Sequence, residues 1–280
     1  MSNDPPDNRS PAANADPVET GEGAASNGAV DADADEIARR LTDELNRVDR
    51  DRSHPNLRPR DAATLIVIDR SGDAPKVLLG LRHARHKFLP GKFVFPGGRV
   101  EPTDRIANAA SELDPQVAAR LMVQTQRPSI AKARAFAIAA IRETFEETGL
   151  IFGQPIGELP GATGGQLPPS AASRLLPDLT AMHFIARAVT PPRRPRRFDT
   201  RFFALDANAI TGQVEGVVGP DAELIELVWL PLTEAERLDM PPITKVVLGE
   251  LELRIAAGFT HDLPAPFYRW IGRGFTRSLL

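Results

Sequence analysis

Between Arg142 and Leu150 the chain reads Arg-Glu-Thr-Phe-Glu-Glu-Thr-Gly-Leu, which places Glu143, Glu146 and Glu147 just ahead of a helix-stopping glycine. At 100° per residue the three carboxylates fall within about a 100° arc of one helical face. Like charges at these spacings repel one another, so a cation between them would relieve the face. Hard divalent ions such as Mg²⁺ take oxygen ligands and favour one or two carboxylates plus substrate phosphates, so the pattern predicts phosphate chemistry. A solvated acidic helix face would show the same spacing. The stretch upstream, Phe95-Pro96-Gly97-Gly98-Arg99-Val100-Glu101, favours the metal reading, because a strand-like run there ends in two glycines that let backbone approach a ligand closely.

Together these segments resemble the Nudix box, G-x5-E-x7-R-E-x-x-E-E-x-G followed by an apolar residue. Arg142, Glu143, Glu146, Glu147, Gly149 and Leu150 match its second half, and Gly98 its start. Asp104 stands where the pattern has its first glutamate, and the seven residues that follow become thirty-seven here, Arg105 to Ile141. The resemblance implies an α/β fold, a Nudix-type α/β/α sandwich with a mixed sheet. It implies metal-dependent hydrolysis of a diphosphate bridge in a nucleoside diphosphate derivative, with Mg²⁺ or Mn²⁺ lowering the pKa of the attacking water. By the same resemblance Glu143 and Glu147 are the first-choice metal ligands and the Gly97 carbonyl a further one. Glu146 is a ligand or the base, and Arg142 orients a carboxylate. The insertion would form a lid or a specificity wall over the cleft.

The segment Leu78 to Gly98 is similar to a degraded signature of the family's coenzyme A diphosphatases, L-L-T-x-R-S-x3-R-x3-G-x3-F-P-G-G. It matches at Leu78, Leu79, Arg82, Gly91 and Phe95 to Gly98, while Gly80, His83 and Lys87 replace the Thr, Ser and Arg. The phrase Arg197-Phe198-Asp199-Thr200-Arg201-Phe202-Phe203, with the long insertion, is similar to the peroxisomal coenzyme A diphosphatase branch. The resemblance covers roughly residues 60 to 270. It implies coenzyme A or an acyl-coenzyme A as substrate, gripped by Arg82 and Lys87. Arg197 and Arg201, in a run with Arg193, Arg194 and Arg196, would give an electropositive wall for a polyphosphate, the alternative being a solvated loop. ADP-ribose, dinucleotide polyphosphates and NAD-type dinucleotides carry the same scissile bridge and remain alternatives, as does a non-catalytic nucleotide-binding sensor. Three costly like charges kept together favour the enzyme. Glu223 and Glu226 open a late strand and are read as solvent-facing rather than as an extra ligand or base.

Several elements must position these groups. Ala62 to Ile68 and Lys76 to Leu81 read as a hairpin across Ser71 to Pro75. Pro115 to Gln126 reads as a helix inside the insertion (about 105–131). Ile130 to Thr148 reads as the carboxylate-bearing helix, between Pro128-Ser129 and Gly149. A Gly/Pro-rich loop follows from Gly153 to Ser170, then strands over Met182 to Val189, Thr200 to Leu205 and Glu223 to Leu230, and a helix over Pro242 to Ala257.

Residues 1–36 carry nine acidic side chains against Arg9 alone, so within a net charge of −3 the remainder is +5. Residues 1–34 are therefore expected to be a disordered acidic tail. Residues 35–57 are expected to form a short helix and linker, with Ile37, Leu41, Leu45 and Val48 on one stripe, and the resemblance implies that 58–280 are the Nudix domain. With no cysteine, thiolate metal sites and disulfides are excluded. No apolar run approaches the eighteen or so residues that cross a bilayer, and no signal pattern opens the chain, so a cytoplasmic location is expected without membrane partners. Nucleic acid is not an expected partner, for no recognition helix or stacking platform accompanies the net negative charge. The expected partner is a small nucleotide-type molecule. The oligomeric state is left open, a homodimer included. The scattered His54, His183 and His261, and Trp229 and Trp270, read as packing residues, whereas His83 and His86 flank the basic segment, where phosphate contact and plain surface positions are equal alternatives.

Overall fold

A computed structural model describes residues 1, 24–48, 53–86, 88–156 and 174–280. The chain divides into two units, residues 1–36 and 37–280. The first is described only at Met1 and from Ala24 onward, so residues 2–23 of the expected acidic tail lie outside the described residues.

Alternation along β1 (Arg60–Asp69) sets the layering of the second unit. Leu65 and Val67 enter one core while Ile66 and Ile68 enter another on the opposite face of the sheet. A strand covered on both faces reads as a continuous apolar run, as Thr64 to Ile68 nearly does. β2 (Lys76–Arg82) returns antiparallel with Val77 opposite Ile68, which is the expected hairpin. On the other side β9 (Phe198–Asp206) runs parallel to β1, residue for residue from Arg60 to Ile68. The mixed nine-stranded sheet runs β11 (Leu224–Pro231), β2, β1, β9, β8 (His183–Val189), β12 (Pro266–Ile271), β13 (Gly274–Leu279). Two short strands hang from it, β3 (Phe93–Val94) on β2 and β4 (Gly97–Arg99) on β1. Two small ladders lie outside it: β5 (Leu150–Phe152) with β10 (Ile210–Gln213), and β6 (Gln154–Pro155) with β7 (Leu175–Leu176).

Helices cover both faces. On one, α2 (Pro115–Met122) and α3 (Ile130–Thr148) contribute Val117, Leu121, Phe136 and Ile141 to the first core. On the other, Leu41 and Leu45 of α1 (Ala24–Arg47) join Val246, Val247 and Leu251 of α5 (Pro242–Ala256) in the second core, beside the single turn α4 (Leu232–Ala235). The architecture is an α/β/α sandwich.

α1 begins at Ala24 rather than at Asp35. Its expected apolar stripe packs onto the domain. Asn46 then closes the helix end by bonding the Phe275 backbone in both directions, at 2.7 and 3.3 Å. α2 stops at Met122 instead of Gln126, because Val123 turns extended and Gln124 takes a positive φ of 52°. The β12–β13 hairpin was not expected, since its Pro, Arg and Gly residues interrupt any apolar alternation. Among the described residues no helix is long and apolar enough to cross a membrane.

Candidate functional site

The carboxylates owe their register to the two ends of α3. Ser129 caps its start, the hydroxyl accepting from Lys132 N at 3.1 Å. Ala133 and Ala135 to Ile141 are all buried, so the helix lies close on the sheet. Gly149 ends it in the left-handed conformation at φ 76°, donating to the Phe145 carbonyl at 2.8 Å. A Cβ at Gly149 would stand 2.2 Å from the Val214 carbonyl oxygen, so only glycine serves.

The last two turns of α3 face a cleft of about 1040 Å³ that Gly97, Gly98, Glu143, Glu147 and Glu223 help to line. Gly98 permits the contact between β4 and the helix, for a Cβ there would meet the Glu143 carboxylate at 2.3 Å. Gly97 N donates to Glu147 Oε2 at 3.2 Å. Behind the cleft Arg142 is a hub. It bonds both Asp104 oxygens (2.9 and 3.1 Å), Glu143 Oε1 (2.9 Å), Glu146 Oε2 (3.1 Å) and the Arg99 carbonyl (2.9 Å). Asp104 is only 2% exposed and also accepts from Glu101 N at 2.7 Å. Asp104 is thus tied to Arg142 across 37 intervening residues.

The electrostatics are those of a crowded acidic site. Burial pushes the Glu146 carboxyl up to about 7, and Glu143 adds to the shift while Arg142 opposes it. Burial raises Glu143 as well, against Arg142. Glu147 is pushed well above the carboxylate range by burial and then by Glu223 and Glu143, with Arg82 and the Gly97 N–H opposing. Burial draws Arg142 down, but its bonds to Asp104 and the surrounding carboxylates outweigh that and the net shift is upward.

Among the described residues no three acidic or imidazole groups are closed into a metal cage as they stand; two arginines meet the carboxylate charge instead. The residues nevertheless fit a hard cation. The donors on the cleft are all oxygens, from the Glu143, Glu147 and Glu223 carboxylates and the Gly97 backbone. Glu143, Glu147 and Glu223 line one cavity, whereas Glu146 does not line it and turns toward Arg142.

The raised carboxyls have a consequence for stability. A carboxyl whose folded pKa lies above its unfolded value binds protons more tightly when folded, so it stabilises the fold below the unfolded pKa and loses this as pH rises through the folded one. For Glu146 that window runs from 4.5 to about 7. The metal-free protein is expected to melt several degrees lower at pH 8 than at pH 5. Glu146→Gln should shallow the slope and saturating Mg²⁺ should recover the loss, by differential scanning fluorimetry. A melting temperature that climbs from pH 5 to pH 8 without metal would refute this account of the cluster.

Glu223, read from the sequence as solvent-facing, instead lines the cleft and forms an ion pair with Arg82. Strand alternation fails for it because it precedes β11, where the register with β2 shifts between Leu224 and Glu226. Glu226 is exposed and lines no part of the cleft. Arg82 lines the cleft but is committed to Glu223, and Lys87 lies outside the described residues. Arg197 lines it too, anchored by the Thr190 carbonyl at 3.1 Å and Asn56 Oδ1 at 2.8 Å.

Arg201 requires correction as a substrate contact. It is 1% exposed, bonds the Asp199 carbonyl at 2.9 Å and Thr125 Oγ1 at 3.0 Å, and covers the Phe136 ring at 3.9 Å. Burial lowers its pKa to about 10 against the pull of Asp199, and none of it reaches the cleft. The insertion is neither lid nor wall: no described residue from 105 to 131 lines the cleft, because Val117, Ala118 and Leu121 are drawn into the first core. The Gly153 to Ser170 loop lies largely outside the described residues.

Neither the known protein-family models nor the curated proteins gave a match to this chain. Solved structures did. A NUDIX hydrolase from Alicyclobacillus acidocaldarius is similar at 26% identity, covering 71% of this chain and 96% of its own, with a TM-score of 0.49. The NUDIX domain of Shewanella oneidensis NrtR, complexed with ADP ribose, is 13% identical over 71% of this chain and 90% of its own, with a TM-score of 0.40. A C. elegans Ap4A hydrolase is 14% identical over 70% and 99%, with a TM-score of 0.36.

Proposed function

We propose that this chain is a Nudix pyrophosphohydrolase acting in the cytoplasm on a nucleoside diphosphate derivative, with Mg²⁺ or Mn²⁺ as cofactor. The observation that carries the reading is the convergence of Glu143, Glu147 and Glu223 on one cleft, against the Gly97-Gly98 backbone. A divalent cation held by Glu143 and Glu147 would neutralise phosphate charge and acidify the attacking water. The residues of the chain do the rest. Arg142 holds Glu143 in place from behind, itself fixed by Asp104. Arg60, Arg196 and Arg197 on the facing wall orient the phosphates. Water oxygen attacks phosphorus and the bridging P–O bond breaks. The water proton passes to Glu223, whose other oxygen Arg82 holds. No covalent intermediate on the protein is required.

Coenzyme A or an acyl-coenzyme A is the proposed substrate. Leu78, Leu79, Arg82, Gly91 and Phe95 to Gly98 support it, and so does the apolar part of the cleft at Leu57, Phe88, Leu89, Phe198 and Ile243, which suits a long carrier arm. A panel of coenzyme A, acyl-coenzyme A, ADP-ribose, a dinucleotide polyphosphate and NAD⁺, incubated with Mg²⁺ or Mn²⁺ and resolved by chromatography, tests it. The coenzyme A compounds are expected to be cleaved fastest. Preference for ADP-ribose would replace that substrate and keep the diphosphatase. Tight binding without turnover of any of them would make the protein a sensor.

A further inference from the structure

The two edges of the nine-stranded sheet are finished differently. An edge strand is ordinarily blunted, because its unpaired N–H and carbonyl groups are a template for another strand. The β13 edge is blunted: the Asn46 side chain takes both the N–H and the carbonyl of Phe275, and Arg277 beyond it carries a charge paired with Glu250 at 2.7 Å. The edge at β11 is treated otherwise. Beyond the Leu224 carbonyl, which accepts from Gly219 N at 3.2 Å, no described group closes it. β11 reads Leu-Ile-Glu-Leu-Val-Trp-Leu-Pro, with Glu226 as its only charge. Trp229, expected to pack, is 39% exposed, and Ile225, Leu227, Val228 and Leu230 are only partly covered.

The phase of the hydrogen bonding identifies the free groups. Leu232 N donates to the Pro75 carbonyl at 3.2 Å, so Leu230, Val228 and Glu226 follow in the same phase opposite Val77, Leu79 and Leu81 of β2. On β2 itself Arg82 N turns the other way, to the Lys92 carbonyl at 2.9 Å, as the alternation requires. Leu227 and Trp229 therefore aim their N–H and carbonyl groups out of the sheet edge. Pro231, with no N–H, ends this run on one side, and the register shift between Leu224 and Glu226 ends it on the other.

We propose that β11 is a dimerisation edge whose occupant is β11 of a second copy of this chain, antiparallel, with Val228 on the two-fold axis. That register sets Leu227 against the partner's Trp229 and Trp229 against the partner's Leu227, each pair exchanging both of its backbone bonds and joining an aromatic to an aliphatic side chain. The charges favour self-pairing. Glu226 opposes the partner's Leu230, and the two Glu226 residues stand about 14 Å apart along the strands, beyond the Debye length of roughly 10 Å at 0.1 M salt. Other axes are worse. At Leu227 the axis draws the irregular Ile225 into the ladder, at Trp229 it sets Pro231 where a donor is needed, and at Glu226 it sets like charges face to face. A peptide selected by charge would find Glu226 alone to recognise.

The chain has no cysteine, so a single introduced one reports contact without background. Across the axis the Val228 positions form a non-hydrogen-bonded pair, with Cα atoms about 4.5 Å apart and within disulfide range. Val228→Cys, oxidised in dilute solution, is expected to convert most of the full-length chain to a covalent dimer on denaturing electrophoresis, whereas Glu226→Cys stays monomeric. Sedimentation equilibrium of the unmodified protein should show its mass doubling as concentration rises. Trp229→Glu, which sets a carboxylate against the partner's Leu227, should hold the monomer mass and melt as the wild type does. A wild type that remains monomeric up to its solubility limit would overturn the proposal. Equal cross-linking at positions 226 and 228, the sign of random collision, would do the same, and so would a dimer that survives Trp229→Glu, because it would use another surface.

Discussion

Glu147→Gln should lower kcat by about a thousandfold or more, ~4 kcal/mol of transition-state stabilisation, while raising the stability of the metal-free protein. The two effects share a cause. Glu147 is buried in the cleft wall beside Glu143 and Glu223, and burial with like charge already drives its carboxyl toward the neutral form. Glutamine keeps the shape, can still accept from Gly97 N, and removes the repulsion that only a cation would otherwise relieve. Steady-state turnover with saturating Mg²⁺ and a metal-free melt, run on the same preparation, read both. Wild-type turnover at saturating metal would exclude Glu147 from the site.

Removal of the Arg142 guanidinium should be the most destabilising single change at the site. In Arg142→Met the Asp104 carboxylate, 2% exposed, loses its paired cation and keeps only the Glu101 N–H among the described donors. Stranding one partner of a buried pair costs about 3–5 kcal/mol. Turnover should fall too, since Glu143 and Glu146 lose the group that holds them. Adding Asp104→Asn to the same chain removes the stranded charge and should recover part of the stability, and a double-mutant cycle from denaturant melts measures how much. Strict additivity of the two substitutions would show that the pair is uncoupled.

Sequence legibility followed the range of the interactions. The limits of α3 were readable because Ser129 and Gly149 act on their own neighbours, and the three-glutamate face came with the helix. The β1–β2 hairpin was readable for the same reason. Asp104 was not, because its partner lies across an insertion and nothing local marks an aspartate that will be buried against Arg142. Glu223 was misjudged because it precedes β11 instead of opening it, so the alternation expected of a strand does not govern its side chain, which lines the cleft. Arg201 was misjudged in the opposite direction: a charged side chain is seldom buried fully unless it is paired, and Asp61, Asp199 and the Phe136 face supply that pairing from three separate segments. A smaller basic pocket of about 500 Å³, which shares Arg82, Phe88, Arg196 and Glu223 with the cleft, escaped notice as a unit because Arg196 is distant in sequence from the turn that carries Arg85.

The ion pair between Arg82 and Glu223 stands on the boundary of both cavities, so neither can be filled without some effect on the other. An anion that draws Arg82 toward itself leaves Glu223 uncompensated and so sharpens its attraction for a cation. A cation that engages Glu223 releases Arg82 to the anion. Thermodynamic reciprocity requires the two influences to be equal in magnitude, so the affinity each ligand gains from the other is a single coupling energy. Filling one of the two cavities would therefore be coupled to filling the other through the single ion pair that borders both.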